Sequence, residues 1–146
     1  MKEKLQSIGN ITVCPIAVIV RDKKILLGYR HYTSDKWKNI SVWTCPGGRC
    51  DEGESIEITL RREVEEETSI KDLEIVDFIS EVPGAKLGDV VPLFLCYTDQ
   101  EAILMEPHKF SSWKWFGVED FPEEFINNHA RKIILELLSE YKNTDY

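Results

Sequence analysis

The stretch Gly47–Ile70, GGRCDEGESIEITLRREVEEETSI, decides how this chain is organised. It opens with two glycines and carries glutamates near its end at positions 63, 65, 66 and 67. An isolated helix avoids such a cluster, because like charges three or four residues apart repel each other. The cluster therefore points to a function and not to an ordinary solvated surface.

A helix from Ile56 to Thr68 would bring three of these carboxylates together. With about 100° of rotation per residue, Glu67 lies about 40° and Glu66 about 60° from Glu63. Glu65 points elsewhere and is expected to face solvent. Glu67 falls within the arc of the apolar stripe that faces the core, where an unpaired charge is unfavourable. A divalent cation that prefers oxygen ligands would neutralise these charges.

Composition describes an ordinary globular domain. The chain has 146 residues, of which 42% are hydrophobic and 30% charged, so we expect one domain over residues 1–146 with a sizeable core. A net charge of −8 opposes broad binding to nucleic acid, which requires a basic surface. We therefore expect no nucleic acid polymer as a partner, whereas a small anionic ligand is compatible if metal ions mediate its binding.

Cysteine spacing and hydropathy indicate the cellular compartment of the protein. The four cysteines form no CxxC pair and have no histidines at zinc-site spacing, which predicts free thiols in a cytoplasmic protein. The polar N-terminal segment lacks the order of a signal peptide. The apolar run Ile11–Val20 is too short to span a bilayer and contains Pro15, so we expect no membrane association.

Apolar patterning predicts strands on both sides of the Ile56–Thr68 helix and a second helix from about Asn127 to Tyr141. Segment 31–38 is expected to be a loop in which Trp37 covers a core edge or faces a ligand. This arrangement is typical of the mixed α/β class, with helices on both faces of the sheet. The predicted strands are Ile11–Val20, Ile25–Tyr29, Ser41–Cys45, Leu73–Val82, Val90–Thr98 and Trp113–Phe116.

The central stretch resembles the Nudix box, the signature of the Nudix (MutT-like) hydrolase superfamily. The likeness comprises Gly48, then Glu54, then REVEEETSI at positions 62–70, and every charged position of the signature matches. Ser69 stands where the family has glycine, which ends the helix in a left-handed conformation. Serine adopts that conformation at a cost of about 1 kcal/mol. WTCPGG at 43–48 also resembles the family, and the likeness extends over roughly residues 11–140.

This resemblance implies a Nudix-type α/β/α sandwich with a central mixed sheet and helices on both faces. It also implies hydrolysis that depends on Mg²⁺, for which Mn²⁺ should substitute. Arg62 lies away from the carboxylate face and is implied to brace the loop by pairing with Glu54. The expected metal ligands are Glu63, Glu66, Glu67 and the backbone carbonyl of Gly47.

The substrate-binding candidates are Arg30, Trp115 and Glu106. Arg30 ends a predicted strand and is either a solvated terminus or a bidentate phosphate contact. Trp115 either packs in the core or stacks on a base, and it is expected to face opposite to Trp113. Glu106 and Glu101 are candidates for the general base, although the default interpretation of each is an ordinary solvated loop charge.

The resemblance implies that a small-molecule nucleotide is the substrate and that the chain is a monomer or homodimer. The leading hypothesis is Mg²⁺-dependent hydrolysis of a nucleoside triphosphate to the monophosphate and pyrophosphate. One alternative is a nucleotide-sugar or ADP-ribose diphosphatase. A second alternative is a non-catalytic nucleotide-binding Nudix module, which the retention of Glu63, Glu66 and Glu67 disfavours.

Overall fold

The computed structural model describes residues 1–31 and 41–142, with side chains through residue 140. Trp37 and most of the expected loop at 31–38 lie outside the described residues. The elements in chain order are α1 (Lys2–Gln6), β1 (Ile16–Arg21), β2 (Lys24–Arg30), β3 (Val42–Thr44), α2 (Ile56–Thr68), β4 (Glu74–Pro83), β5 (Val90–Tyr97), β6 (Phe110–Phe116) and α3 (Asn128–Lys142).

The six strands form one mixed sheet. Its order is β3-β2-β1-β5-β4, and β6 pairs with β2 outside that path. Strands β1 and β5 run parallel, whereas the other pairs are antiparallel. Asp22 and Lys23, with φ of 53° and 64°, turn β1 tightly into β2, as two-residue hairpin loops require. The expected central mixed sheet is confirmed.

The two long helices cover opposite faces of this sheet, because successive strand residues point to opposite sides. Ala17 and Ile19 of β1 pack into the buried cluster that contains Leu60 of α2. Val18, between them, packs into the cluster that contains Ile134 of α3. The predicted α/β/α sandwich with helices on both faces is therefore confirmed.

Two strand starts differ by three residues or more from the sequence prediction, and one helix was not predicted. The first strand begins at Ile16 and not at Ile11, because Pro15 has no N–H to donate and residues 10–13 form a turn closed by Val13 N–H to Asn10 C=O at 2.9 Å. Strand β6 begins at Phe110, where Arg30 of β2 is its cross-strand partner. Helix α1 was not predicted, since a single turn leaves little periodicity to recognise.

Most of the cysteine thiols lie in the interior of the protein. All four cysteines are free, and Cys45, Cys50 and Cys96 are buried. Burial raises the pKa of Cys96 to about 12, which keeps that thiol protonated and unreactive. Within residues 1–31 and 41–142, no helix combines the length and apolar character that crossing a bilayer would require.

Helix α2 begins and ends at the predicted residues. Ser55 is its N-cap, and its Oγ accepts a hydrogen bond from Ile58 N–H at 3.2 Å. Ser69 ends the helix at φ 67° and ψ 7°, and its N–H donates to Glu65 C=O at 2.8 Å. Serine thus occupies the left-handed conformation expected from the glycine position of the box.

Replacing Ser69 with glycine should stabilise the fold. Because glycine lacks the Cβ that disfavours positive φ, Ser69→Gly is expected to raise the free energy of unfolding by about 1 kcal/mol, or roughly 3 °C in Tm. Thermal unfolding followed by circular dichroism measures the change. Ser69→Ala, which keeps Cβ, is the control and should bring no gain; equal Tm values for the two variants would contradict the explanation.

Candidate active site

One cleft brings together four of the expected site residues: Arg30, Gly47, Glu63 and Glu67. Its volume is about 450 Å³, within the range of small-ligand sites. Glu63 and Glu67 of α2 line it together with the backbone of Gly47 and Gly48. The apolar residues that line the cleft include Phe125, which follows β6 in the chain. The basic side chains that line the cleft are Arg30, Arg49, Lys86 and Lys109.

Glu67 is the buried carboxylate of the cleft. Only 7% of the residue is exposed, and one carboxylate oxygen accepts a hydrogen bond from Gly47 N–H at 2.9 Å. Burial raises the pKa of Glu67 well above its usual value, and the charges of Glu63 and Glu106 act in the same direction. The Gly47 hydrogen bond and the charge of Arg30 oppose this effect. An anion in such a place favours a cationic partner.

Gly47 and Gly48 have no room for a side chain, because their backbone passes close to neighbouring atoms. A Cβ on Gly47 would lie 2.3 Å from the carbonyl oxygen of Pro15, and φ there is +150°. A Cβ on Gly48 would lie 2.6 Å from the carboxyl carbon of Glu63. Any larger residue would displace the backbone or the carboxylate, so the glycines bring the loop directly against α2.

Arg62 joins the loop to the carboxylates. Its Nε and Nη2 each donate to Glu54 at 3.0 Å, a bidentate pair that agrees with the role implied by the resemblance. Its Nη1 lies 2.9 Å from Glu63 and 3.3 Å from both carboxylate oxygens of Glu66. The expectation that Arg62 lies away from the carboxylates was wrong, because the guanidinium reaches one turn along the helix.

Glu54 is held by three groups. Besides Arg62, it accepts hydrogen bonds from the Thr59 hydroxyl at 2.5 Å and from Asp51 N–H at 3.0 Å. The hydrogen bonds from Arg62 are the main reason that the pKa of Glu54 falls to about 2, while burial opposes them. Glu54 therefore stays ionised and holds the loop and helix in register.

The donor set suits a hard divalent cation. Glu63, Glu66 and Glu67 supply carboxylate oxygens, and burial raises the pKa of Glu63 as it does that of Glu67. In the described part of the chain, no three His, Cys, Asp or Glu side chains already form a metal-binding group. Glu66, half exposed and held by Arg62, would have to turn toward the cleft to join the other two.

The substrate-binding candidates are separated in space. Arg30 lines the cleft, with its guanidinium 5.6 Å from the Phe110 ring centre. Glu106 lies beside the cleft, where its Oε2 is 3.5 Å from Lys109 Nζ. Glu65, as expected, faces solvent.

Trp115 and Glu101 are not part of the cleft. The Trp115 ring packs beneath Arg21, with 4.4 Å from the guanidinium carbon to the ring centre, and Glu101 pairs with the same arginine at 2.7 Å. Trp113 and Trp115 pack against the same buried cluster. The expectation that they face opposite sides was wrong, because residues i and i+2 of a strand share a face.

Sequence reasoning missed four charged residues that line the cleft: Arg49, Lys86, Asp89 and Lys109. Arg49 donates to Asp89 through two nitrogens at 2.9 and 2.5 Å, and also to Ile11 C=O at 2.8 Å. Arg49 directly follows the glycine pair, so its place in the box was a usable signal. Asp89 precedes β5, and nothing in its local sequence indicates the pairing; 40 residues separate the partners.

The fold and the carboxylate-lined cleft define a class of protein, and comparison with known proteins agrees. The NUDIX domain family matches residues 12–137, and the chain belongs to this family as a Nudix hydrolase. It is 30% identical to the RNA pyrophosphohydrolase of Pelagibacter ubique, over 88% of this chain and 90% of that protein.

Two further relatives extend the comparison. The NAD-capped RNA hydrolase NudC of Mannheimia succiniciproducens is 32% identical over 90% of this chain, which spans about half (51%) of that protein. The crystal structure of a MutT NUDIX hydrolase from Burkholderia pseudomallei superposes with a TM-score of 0.67 at 30% identity, covering 86% of this chain and 95% of that one.

Removing the Glu54 charge should change how stability depends on pH. Because its pKa is lowered to about 2, this carboxylate stabilises the fold fully above its ordinary value of 4.5, and the contribution is lost as pH falls toward 2. Glu54→Gln should cost about 1–2 kcal/mol at neutral pH and flatten the loss of stability between about pH 5 and about pH 3. Urea unfolding at several pH values measures both effects.

The matched control for this experiment is Glu57→Gln. Glu57 pairs with Arg61 on the same helix at 2.9 Å, with both side chains substantially exposed. Its loss should change the free energy of unfolding by less than about 1 kcal/mol. Equal effects of the two substitutions would show that the Glu54 pair has no special role.

Glu67→Gln should abolish hydrolysis without harming the fold. Glutamine can still accept the Gly47 hydrogen bond, and it removes a buried charge, so Tm without metal at neutral pH should stay equal or rise. Activity should fall at least about 100-fold, since a carboxylate that is expected to bind the metal is lost. Glu65→Gln, on the exposed face, is the control for both assays; full activity of Glu67→Gln would refute the assignment.

Proposed function

We propose that the cleft hydrolyses a nucleoside 5′-triphosphate to the monophosphate and pyrophosphate. The observation that carries this proposal is the opposition of charges within one cleft, with Glu63 and Glu67 against the cations Arg30 and Lys109. A polyphosphate bound with divalent cations needs both signs: carboxylates to hold the metal, and basic side chains to contact the phosphate oxygens. Family membership supports the same reaction class.

Divalent metal use is general in this family, and we propose Mg²⁺, with Mn²⁺ as a substitute. Glu63, Glu66, Glu67 and the Gly47 carbonyl would hold it, because all four supply oxygen ligands. When bound, the metal neutralises phosphate charge and lowers the pKa of bound water. Arg62 and Glu54 keep the loop and α2 together, so that Gly47 remains beside Glu67.

The protein's own groups would then serve the reaction as follows. Arg30 contacts phosphate oxygens from the end of β2. We assign the general base to Glu106, because its charge acts on Glu67 and its side chain, 21% exposed, can be reached by water. It would take the proton of the attacking water. The water oxygen bonds to phosphorus, and the bridging P–O bond between the two products breaks. Its electron pair leaves with the departing product, either the monophosphate or pyrophosphate.

A second candidate substrate is the 5′-triphosphate end of an RNA. The similarity to an RNA pyrophosphohydrolase along nearly the whole chain favours it, and the bond to be cleaved is the same. The net charge of −8 favours the free nucleotide, because extended contact with an RNA backbone requires more basic surface. A nucleotide-sugar or ADP-ribose diphosphatase is the remaining enzymatic alternative. We also propose a cytoplasmic location, because it suits both a nucleotide substrate and the protein's free cysteine thiols.

One substrate panel tests this proposal. With Mg²⁺, we expect the highest kcat/KM on a nucleoside triphosphate, lower values on a 5′-triphosphorylated RNA oligonucleotide, and the lowest on ADP-ribose, nucleotide sugars and NAD-capped RNA. Products resolved by ion-exchange chromatography should be the monophosphate and pyrophosphate. A higher kcat/KM on the RNA oligonucleotide than on the nucleoside triphosphate would make the RNA 5′ end the substrate. Glu67→Gln serves as the blank, and no turnover of any compound above this blank would favour a binding module.

A further inference from the structure

Two cations from neighbouring strands meet at one side of the cleft. Arg30 ends β2, and Lys109 directly precedes Phe110, the residue that pairs with Arg30 across the sheet. Both side chains line the cleft that holds Glu63 and Glu67. Arg30 therefore has a second cation near it, and the particular phosphate that Lys109 contacts is still to be assigned.

The backbone of Lys109 is fixed in place. Its carbonyl accepts a hydrogen bond from His31 N–H at 2.8 Å, which extends the pairing of β2 and β6 by one step. Its N–H donates to Glu106 C=O at 2.9 Å, as does the N–H of Phe110. These backbone hydrogen bonds hold Lys109 at the cleft that it lines.

The Lys109 side chain is only loosely engaged. Its Nζ lies 3.5 Å from Glu106 Oε2, longer than the 2.7–2.9 Å that is typical of a charge-assisted hydrogen bond, and 44% of the side chain is exposed. An ion pair of this kind contributes little to stability. Exchanging Glu106 for another anion therefore costs little, and the ammonium is suited to a ligand.

The chemistry of the possible substrates indicates which anionic group the Lys109 ammonium binds. A terminal phosphate carries a charge of about −1.5 to −2 and three free oxygens, whereas a phosphate joined to a second sugar carries one charge and fewer free oxygens. We propose that Lys109 binds the terminal phosphate of a 5′-triphosphate, and thereby selects triphosphates over diphosphates that end in a second sugar. This inference rests on the proposed function, and it holds for a free nucleotide and for an RNA 5′ end alike.

Lys109→Ala tests this selection. We expect kcat/KM to fall about 10- to 100-fold for a nucleoside triphosphate and for a triphosphorylated RNA oligonucleotide, because a charge-assisted contact to the terminal phosphate is lost. For ADP-ribose the change should be less than about 3-fold, since that contact does not exist. Lys109→Arg, which keeps the charge, should restore part of the triphosphate activity.

The matched control is Lys114→Ala. Lys114 belongs to β6, the strand that directly follows Lys109; it is exposed and does not line the cleft. Lys114→Ala removes the same net charge as Lys109→Ala, so any general electrostatic effect on substrate approach appears in both variants. Equal losses for Lys109→Ala and Lys114→Ala, or equal losses of Lys109→Ala on triphosphates and ADP-ribose, would overturn the assignment.

A binding experiment separates this inference from the proposed reaction. Titration calorimetry with a methylene-bridged triphosphate analogue in Ca²⁺ requires no turnover, and Lys109→Ala should bind it about 10- to 100-fold more weakly than wild type. Weakened binding in a protein that hydrolyses no substrate would refute the reaction and retain the role of Lys109. Unchanged binding in Lys109→Ala, or no binding in wild type, would refute the role of Lys109.

Discussion

The guanidinium group of Arg62 is the contact on which the site depends. It holds Glu54 by two hydrogen bonds on one side and reaches Glu63 and Glu66 on the other. Carboxylates one helical turn apart repel each other, and a fixed positive charge among them reduces that cost. Since Glu54 belongs to the loop and the others to α2, the same group also sets the position of the loop against the helix.

Close approach of the backbone completes this arrangement. The glycine pair passes directly over α2, which lets Gly47 N–H reach the buried carboxylate of Glu67. That hydrogen bond partly offsets the desolvation of Glu67, whose raised pKa shows that burial is the larger effect. The fold thus keeps an incompletely compensated anion at the cleft, and this is the property that makes the place suitable for a divalent cation.

The basic residues of the cleft have a different origin. Three of the four come from separate parts of the chain: the end of β2, the turn before β6, and the loop before β5. None of these three is close in sequence to the glutamates of α2. Strand pairing, such as that of Arg30 with Phe110, brings residues from distant parts of the chain to the carboxylates, and the resulting cleft is lined by charges of both signs. Such a cleft suits a polyphosphate bound together with metal ions.

The sequence alone determined the helix Ile56–Thr68 and the mixed α/β class. These features follow from the periodicity of apolar residues along the chain, which is visible without the fold. The α/β/α sandwich, the left-handed helix end at Ser69 and the reaction class came from the resemblance that the stretch Gly47–Ile70 carries.

Only the tertiary structure decided which distant residues join the site. It excluded Trp115, whose ring packs beneath Arg21, and it brought in Lys109 and the Arg49–Asp89 pair. It also showed that Arg62 contacts the carboxylates it was expected to avoid. The physical reason is that strand pairing and side-chain reach act between residues far apart in the chain, and local sequence carries no record of such partners.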